Sequence, residues 1–511
     1  MVGSSGHHNT KWELVCEVLW ALALISLPLT SFPFLSSLTG ALVSPLAILP
    51  IFILLIIWTI PLILRKGELP KETVPLIIFF SIAIIASALA FFFFIPGFKG
   101  KSMPAQELRA LLTLAIGITF YLVTTSWVKS PERLHNTWKY ITIGGILAVA
   151  WSCVQAFFIF RHYDFYPTWM NEIQSWLAVL SPQYSPRYGR VNGLTYEASW
   201  FAHQMVMLYL PIWMAATYKK TSAFKFRIWR ISIENILLVI GVLVFFLSSP
   251  RIGLISFLLM LIYLFIGLNV SLHRGIVNYL TDQRIFLRYS SAARRRSWIS
   301  ASATIALLSA YAVVLVGILY FSVQRDWRLA KLVSEPPSTQ EIIGLVTLDE
   351  TTLLKLSQRF IFMERMVYWL NGWNVFNQFP WLGVGLGNAG FFFPSLAPPM
   401  GWATFEIRNV LFYLTQLPNV KSFWFRLLAE TGIIGFSVFI TWIYVLFQSS
   451  RLSRRSQCTA IKTLALAGQL SILAFIGEGF SIDSFAMPYL WIMAGLIAAM
   501  GLLVRQEIQS G

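Results

Sequence analysis

The sequence predicts an all-α fold: a polytopic integral membrane protein with about twelve membrane-spanning helices and a large, partly helical outer loop between the ninth and tenth. Three observations carry this expectation. Of 511 residues, 57% are hydrophobic and only 12% are charged, whereas soluble domains carry roughly 25% charged residues. Mean hydropathy is +0.68, more apolar surface than one soluble core can hide, because the surface must still be covered by something polar. The apolar residues also gather in runs of roughly 20, the length that crosses a bilayer.

In chain order these runs lie near 14–35, 41–64, 74–95, 108–128, 137–160, 195–217, 233–249, 251–268, 299–323, 423–447, 461–478 and 486–504. They form one polytopic domain over 14–504. The first run lacks a small-residue cleavage signature and reads as a retained helix. Ser248-Ser249-Pro250-Arg251 is a tight turn between two of the runs. Cys16 and Cys153 lie inside apolar runs and Cys458 in a basic loop, which argues against a disulfide framework.

Lys and Arg outnumber Asp and Glu by 39 to 22. In a soluble protein such an excess would suggest nucleic acid; here orientation accounts for it. With the N-terminus in the cytoplasm and the runs alternating, 23 of the 39 basic residues fall on the inner side, and eight of the other 16 lie in the one long loop. The basic inner loop 269–298 carries Arg274, Arg284, Arg288, Arg294, Arg295 and Arg296. The short outer connections are nearly bare, as the positive-inside rule requires. Both termini are therefore expected in the cytoplasm.

The long outer loop spans 324–422. A polar, Pro-containing stretch runs from Ser334 to Gln340. Leu353, Leu356, Phe360, Met363, Val367 and Leu370 then recur at three- and four-residue spacing, one face of an amphipathic helix that Pro380 ends. The Gly-rich turn Gly383–Asn388 follows, so the loop is expected to be ordered.

No metal or cofactor is expected. The six histidines are scattered without paired-ligand spacing. Gly383–Gly387 lacks the strand, Lys and Ser/Thr of a phosphate-binding loop. Arginines near outer membrane ends stand out instead: Arg190, Arg251 and Arg365. A guanidinium grips phosphate oxygens in bidentate fashion, and charge close to lipid is costly enough to imply a use. The alternative for each is a side chain that snorkels to the headgroups. Glu197 reads as a general base, as a partner of Arg190, or as a carboxylate favoured by a helix N-terminus. Glu430 stands one turn after Arg426 and forms a plausible i,i+4 ion pair. His203 reads as a hydrogen-bonded packing residue.

Several segments together resemble the O-antigen ligase and O-antigen polymerase superfamily. Arg365-x3-Trp369 followed by Pro380-Trp381-Leu382-Gly383-Val384-Gly385-Leu386-Gly387-Asn388 is similar to its outer-loop signature. The run from Ser422 to Gly435 and the turn Ser249-Pro250-Arg251-Ile252-Gly253 are similar too, as is Arg190-x2-Gly193-x3-Glu197-x4-Ala202. The likeness covers roughly 185–440. It implies a metal-independent membrane glycosyltransferase that takes a saccharide from undecaprenyl diphosphate at the outer face of a bacterial inner membrane and passes it to an acceptor glycan. Arg190, Arg251 and Arg365 would then bind the diphosphate.

The chain departs from the family at one position. Counting back from Gly432, the histidine expected of ligases falls on Lys421, while Ser422, Gly432 and Gly435 fit. This favours a polymerase-like member. It leaves Glu197 and Lys421 as the catalytic candidates, Lys421 as a base or as a further cation, with Ser422 and Glu430 behind them. Other polysaccharide assembly proteins would be natural partners. Two other functions stay open: a transporter of the bicarbonate-carrier kind, and an inactive relative within an assembly complex. Transporters commonly carry inverted repeats and broken midplane helices, and the sequence displays neither.

Overall fold

The computed structural model describes residues 9–67, 69–249, 251–282, 300–302, a discontinuous set from 304 to 324, 327–347, 349–359 and 362–510. The chain is 73% helical with almost no strand. Seven helices among the described residues are long and apolar enough to cross a membrane, and Ile233–Leu247 and Arg251–Gly267 are shorter apolar helices.

Prolines decide where several expected runs break. Helix α1 (Asn9–Ile25) stops short of the run that extends to 35, because Pro28 and Pro33 follow. Pro33 instead starts the seven-residue α2 (Pro33–Thr39). The next run begins late, at α3 (Ile48–Leu54), and continues through a π turn, Leu55–Thr59, into α4 (Ile60–Lys66). Pro61 lies just beyond that turn. Helices α5 (Thr73–Ala90), α6 (Met103–Trp127) and α7 (Pro131–Phe160) follow the sequence closely. Ser130 caps α7 by accepting from Arg133 N, with Pro131 at the position where a missing N–H costs nothing.

Helix α8 (Thr168–Leu177) was not anticipated. It is amphipathic, with Met170 and Gln174 buried and Trp169, Ile173 and Trp176 exposed. Helix α9 (Ala198–Gln204) passes through a π turn, Met205–Tyr209, into α10 (Leu210–Lys219). Pro211 displaces the hydrogen bond to the carbonyl four residues back, that of Met207. Ser471 from a neighbouring helix donates to that carbonyl, so the break is satisfied inside the bundle. Helices α11 (Ile233–Leu247) and α12 (Arg251–Asp282) come next. Pro250, most of the basic loop and part of the 299–323 run lie outside the described residues.

The long loop folds into a helical cap. Its helices are α13 (Trp327–Ser334), α14 (Thr339–Val346), α15 (Glu350–Arg359), α16 (Met363–Gln378), α17 (Phe393–Leu396) and α18 (Phe405–Arg408). A capping box of Ser338 and Glu341 starts α14. The single amphipathic helix expected over Leu353–Leu370 is two helices, α15 and α16. Leu353, Leu354, Met363, Met366, Val367 and Leu370 nevertheless share one apolar cluster. Phe360 lies outside the described residues. Helices α19 (Phe423–Ser453), α20 (Thr459–Glu478) and α21 (Pro488–Ser510) complete the bundle.

The bundle core is aromatic: Trp20, Trp127, Trp138, Trp213, Trp442 and Trp491 are fully buried. Glycines make room for the indoles. A Cβ on Gly117 of α6 would lie 2.2 Å from the Trp491 ring of α21, and close approach through small residues is how helices pack where lipid supplies no hydrophobic drive. Alanine at 117 improves intrinsic helix propensity, so any loss of stability reports packing alone. Gly117→Ala is expected to lower the thermal midpoint of the detergent-solubilised protein by several degrees. Gly97→Ala, whose Cβ would meet nothing within 4 Å, is the control and should leave the midpoint in place.

Candidate active site at the cap end of the bundle

The site depends on how the cap is attached. Helix α19 contains one residue with non-helical torsions, Gly432, at φ 61° and ψ −169°, a region open essentially to glycine alone. The break releases the carbonyls of Ala429 and Glu430 from the helix ladder. Val384 N donates to Ala429 O at 3.0 Å and Gly385 N to Glu430 O at 3.1 Å, while Ile433 N returns a bond to Pro380 O at 2.8 Å. Gly383, Gly385 and Gly387 all adopt positive φ, which lets the turn lie flat on α19. Ser87 Oγ of α5 accepts from Leu386 N at 3.1 Å, and Asn388 Nδ2 donates to Glu107 Oε1 of α6 at 2.7 Å. The Gly-rich turn is thus a structural clasp and not a ligand loop.

With the cap held, α16 lies over the start of α19. Arg365 Nη1 donates to Lys421 O at 3.4 Å and Trp369 Nε1 to the same oxygen at 3.3 Å. Lys421 has φ +48°. Its ammonium pairs with Glu406 Oε1 of α18 and lies 4.3 Å from the centroid of the Tyr368 ring. Tyr368 OH donates to Glu406 Oε1 at 3.1 Å. Burial, then the Glu406 carboxylate, push the Tyr368 phenol well above its ordinary pKa, so it remains a donor.

Charges from four separate elements meet around Arg365. Burial draws its pKa below the ordinary value; Asp483, between α20 and α21, and Glu406 raise it, Arg251 at the start of α12 lowers it, and Glu197 before α9 raises it. Arg251 and Arg365, 114 positions apart in the chain by their numbers, are thus near enough to act on one another electrostatically. Taken with Lys421, three cations stand against three carboxylates.

Arg190 has a bracing role: its Nε donates to Ser248 O at 2.9 Å, beside Val191 N to Leu247 O at 3.2 Å, and so holds the turn that carries Arg251. Gln155 fixes the same stretch, accepting from Asn192 N at 3.0 Å and Gly193 N at 2.8 Å. Glu197 is the residue preceding α9, and its Oε2 accepts from Ser199 Oγ at 3.0 Å. Ser422 is buried, donating to Gly479 O at 3.1 Å. Glu430 accepts from Arg426 Nε at 2.9 Å, the expected i,i+4 pair, and Arg426 also donates to Asp483 O. His203 is buried against Glu478, its Nδ1 on Oε2.

Sequence reasoning missed Glu406, Asp483 and Tyr368. Each comes from a short turn or a cap helix, with no spacing that links it to Arg365. Among the described residues no cluster of His, Cys, Asp and Glu suits a metal ion.

The fold and this charged, cap-covered end define a multi-pass membrane protein. Residues 236–440 match the family described as O-antigen ligase. The match takes in Arg251, Arg365, Glu406, Lys421, Ser422 and Glu430 and leaves out Arg190, Glu197 and Asp483. The comparison with curated proteins found no match.

A Cβ on Gly432 would lie 2.2 Å from Trp381 O, so Gly432→Ala cannot keep both the torsions and the clasp. The variant is expected to expose the cap: limited proteolysis in detergent should cut between 379 and 422 at least tenfold faster than in the wild type, roughly the effect of 1.4 kcal/mol on local opening. Unchanged cleavage would show that the cap is held elsewhere.

Proposed function

We propose that the protein is a polysaccharide polymerase or ligase of the bacterial inner membrane. It would transfer a saccharide from undecaprenyl diphosphate to an acceptor glycan at the outer face. The gathering of cations at the cap end carries this reading: Arg365 donates to the Lys421 carbonyl, and Arg251 acts on it electrostatically. A diphosphate leaving group gathers negative charge as its bond to the sugar breaks, and fixed cations in a partly dry site stabilise that charge. The acceptor hydroxyl oxygen would attack the anomeric carbon; the bond from that carbon to the diphosphate oxygen breaks, and its electron pair leaves with the diphosphate.

Arg251 and Arg365 would grip the diphosphate. Arg190 would complete the site from behind by holding the Arg251 turn, within reach of the same anion. Lys421, paired with Glu406, would add a cation. The proton of the acceptor hydroxyl would go to one of the carboxylates of the site. Ser422 and Glu430 would serve the scaffold. About twelve spans, with both termini cytoplasmic, the loop 324–422 outside and 269–298 inside, fit the charge distribution.

A transporter would predict the opposite cellular phenotype. Deletion of the gene is expected to shorten a surface polysaccharide and to leave bicarbonate uptake unchanged. Arg251→Lys and Arg365→Lys proteins, expressed in that strain at wild-type level, should not restore chain length, because Lys keeps the charge and loses the fork. Their affinity for undecaprenyl diphosphate in nanodiscs should fall about tenfold or more, the worth of one charge-assisted hydrogen bond. Full activity in both Lys variants would overturn the bidentate grip.

Topology is checked separately with reporter fusions. Fusion at Lys220 is expected to report the cytoplasm and fusion at Ser395 the outer compartment. The reverse result at either position would overturn the orientation.

A further inference from the structure

Three carboxylates face Arg365, and they are not equivalent. Glu197 immediately precedes α9, with Ser199 Oγ donating to its Oε2. Asp483 lies in the turn between α20 and α21, where its own carbonyl accepts from Arg426. Glu406 belongs to the cap. Both of its protein contacts, Tyr368 OH and Lys421 Nζ, go to Oε1. No hydrogen bond among the described residues uses Oε2, and the side chain is 43% exposed. One oxygen is therefore anchored from two sides, and the other is left without a protein hydrogen bond among the described residues.

We infer that Glu406 Oε2 is the atom that takes the proton from the acceptor hydroxyl. This rests on the reading of the site as a diphosphate-releasing glycosyltransferase. In that reaction the lipid diphosphate must approach from the membrane, where its polyprenyl chain resides. The acceptor, a hydrophilic glycan, approaches from water. Displacement at a saturated carbon requires the entering oxygen to come from the side opposite the leaving group. The base then belongs on the aqueous side, on the cap, and Glu406 is the cap carboxylate paired with Lys421, whose carbonyl accepts from Arg365.

Electrostatics favour the same choice. In the empty site Glu406 is balanced by Arg365 and Lys421. A bound diphosphate would compete for those cations. As the sugar–diphosphate bond breaks, the proton moving onto Oε2 neutralises Glu406 and removes a negative charge from beside the departing diphosphate. Lys421 and Tyr368 act as positioning residues. They hold Oε1, and so aim Oε2.

The test uses the full-length protein in nanodiscs, supplied with lipid-linked glycan extracted from its own host, with released undecaprenyl diphosphate as the product measured. Glu406→Gln keeps the shape of the side chain and removes its basicity. Its kcat is expected to fall about 100-fold, the usual worth of a general base, while its affinity for undecaprenyl diphosphate alone stays within about threefold of wild type, well inside one tenfold step of 1.4 kcal/mol. Glu406→Ala should be equally slow, and added formate should restore part of its rate, since a small carboxylate can enter the space left and accept the proton. Lys421→Arg should retain more kcat than Lys421→Ala, because Arg can keep the ion pair.

Wild-type kcat in Glu406→Gln overturns the inference. So does loss of undecaprenyl diphosphate binding in that variant, or a Glu406→Ala variant deaf to formate, since either makes Glu406 part of the scaffold. Failure of the underlying reading looks different: the wild-type protein itself would neither bind undecaprenyl diphosphate nor release it from the extracted donor.

Discussion

A helix that crosses a membrane normally keeps every backbone carbonyl for itself, because lipid offers no replacement donor. Helix α19 gives up two of them. Gly432 breaks the ladder, and the freed carbonyls of Ala429 and Glu430 take N–H groups from the Gly-rich turn of the cap. Everything at the site hangs from that exchange. The turn fixes the end of α16, α16 carries Arg365, Tyr368 and Trp369, and Arg365 and Trp369 close on the carbonyl of Lys421 at the head of the same broken helix. The cap is thus a rigid body whose position is set by main-chain bonds, which cannot be lost to side-chain rotation.

Rigid placement matters because of what the cap carries. A guanidinium as buried as Arg365 costs several kcal/mol to desolvate unless other groups compensate. Asp483, Glu406 and Glu197 supply that compensation, while Arg251 works against it. Three cations and three carboxylates leave the empty site formally balanced. Such a site differs from a bare cationic pocket. An entering anion must exchange with carboxylates already in place, so binding changes the environment of those carboxylates as much as that of the arginines. The buried His203–Glu478 and Arg426–Glu430 pairs follow the same principle nearby, each charge near lipid arriving with its partner.

How far this was legible in the sequence follows from the range of each signal. Apolar run length is local, so α5, α6, α7, α20 and α21 were found close to their bounds. Proline effects are local too, yet Pro28 and Pro33 were passed over, and the first run was read as continuous where α1 ends at Ile25. The three- and four-residue spacing from Leu353 to Leu370 identified the buried face correctly and missed the break between α15 and α16, since one apolar cluster takes both helices. The arginines were conspicuous because charge beside lipid is rare. Glu406 and Asp483 were not, because a carboxylate in a water-facing segment is ordinary. Only the folded cap brings them to Arg365.

Lys421 illustrates the limit most clearly. From sequence it was a residue at a catalytic family position, read as a base or as a cation for the diphosphate. In the fold its carbonyl does as much as its side chain: two donors from α16 converge on it, at a left-handed backbone position. Its ammonium, meanwhile, is turned to Glu406 and the face of Tyr368. The side chain is thereby engaged with a carboxylate and an aromatic face. The exchange of an imidazole for an ammonium therefore need not empty this position of chemistry. It moves the question to the next atom along, the carboxylate that the ammonium holds, and a loop helix of four residues becomes the part of the cap whose placement decides whether the site can turn over.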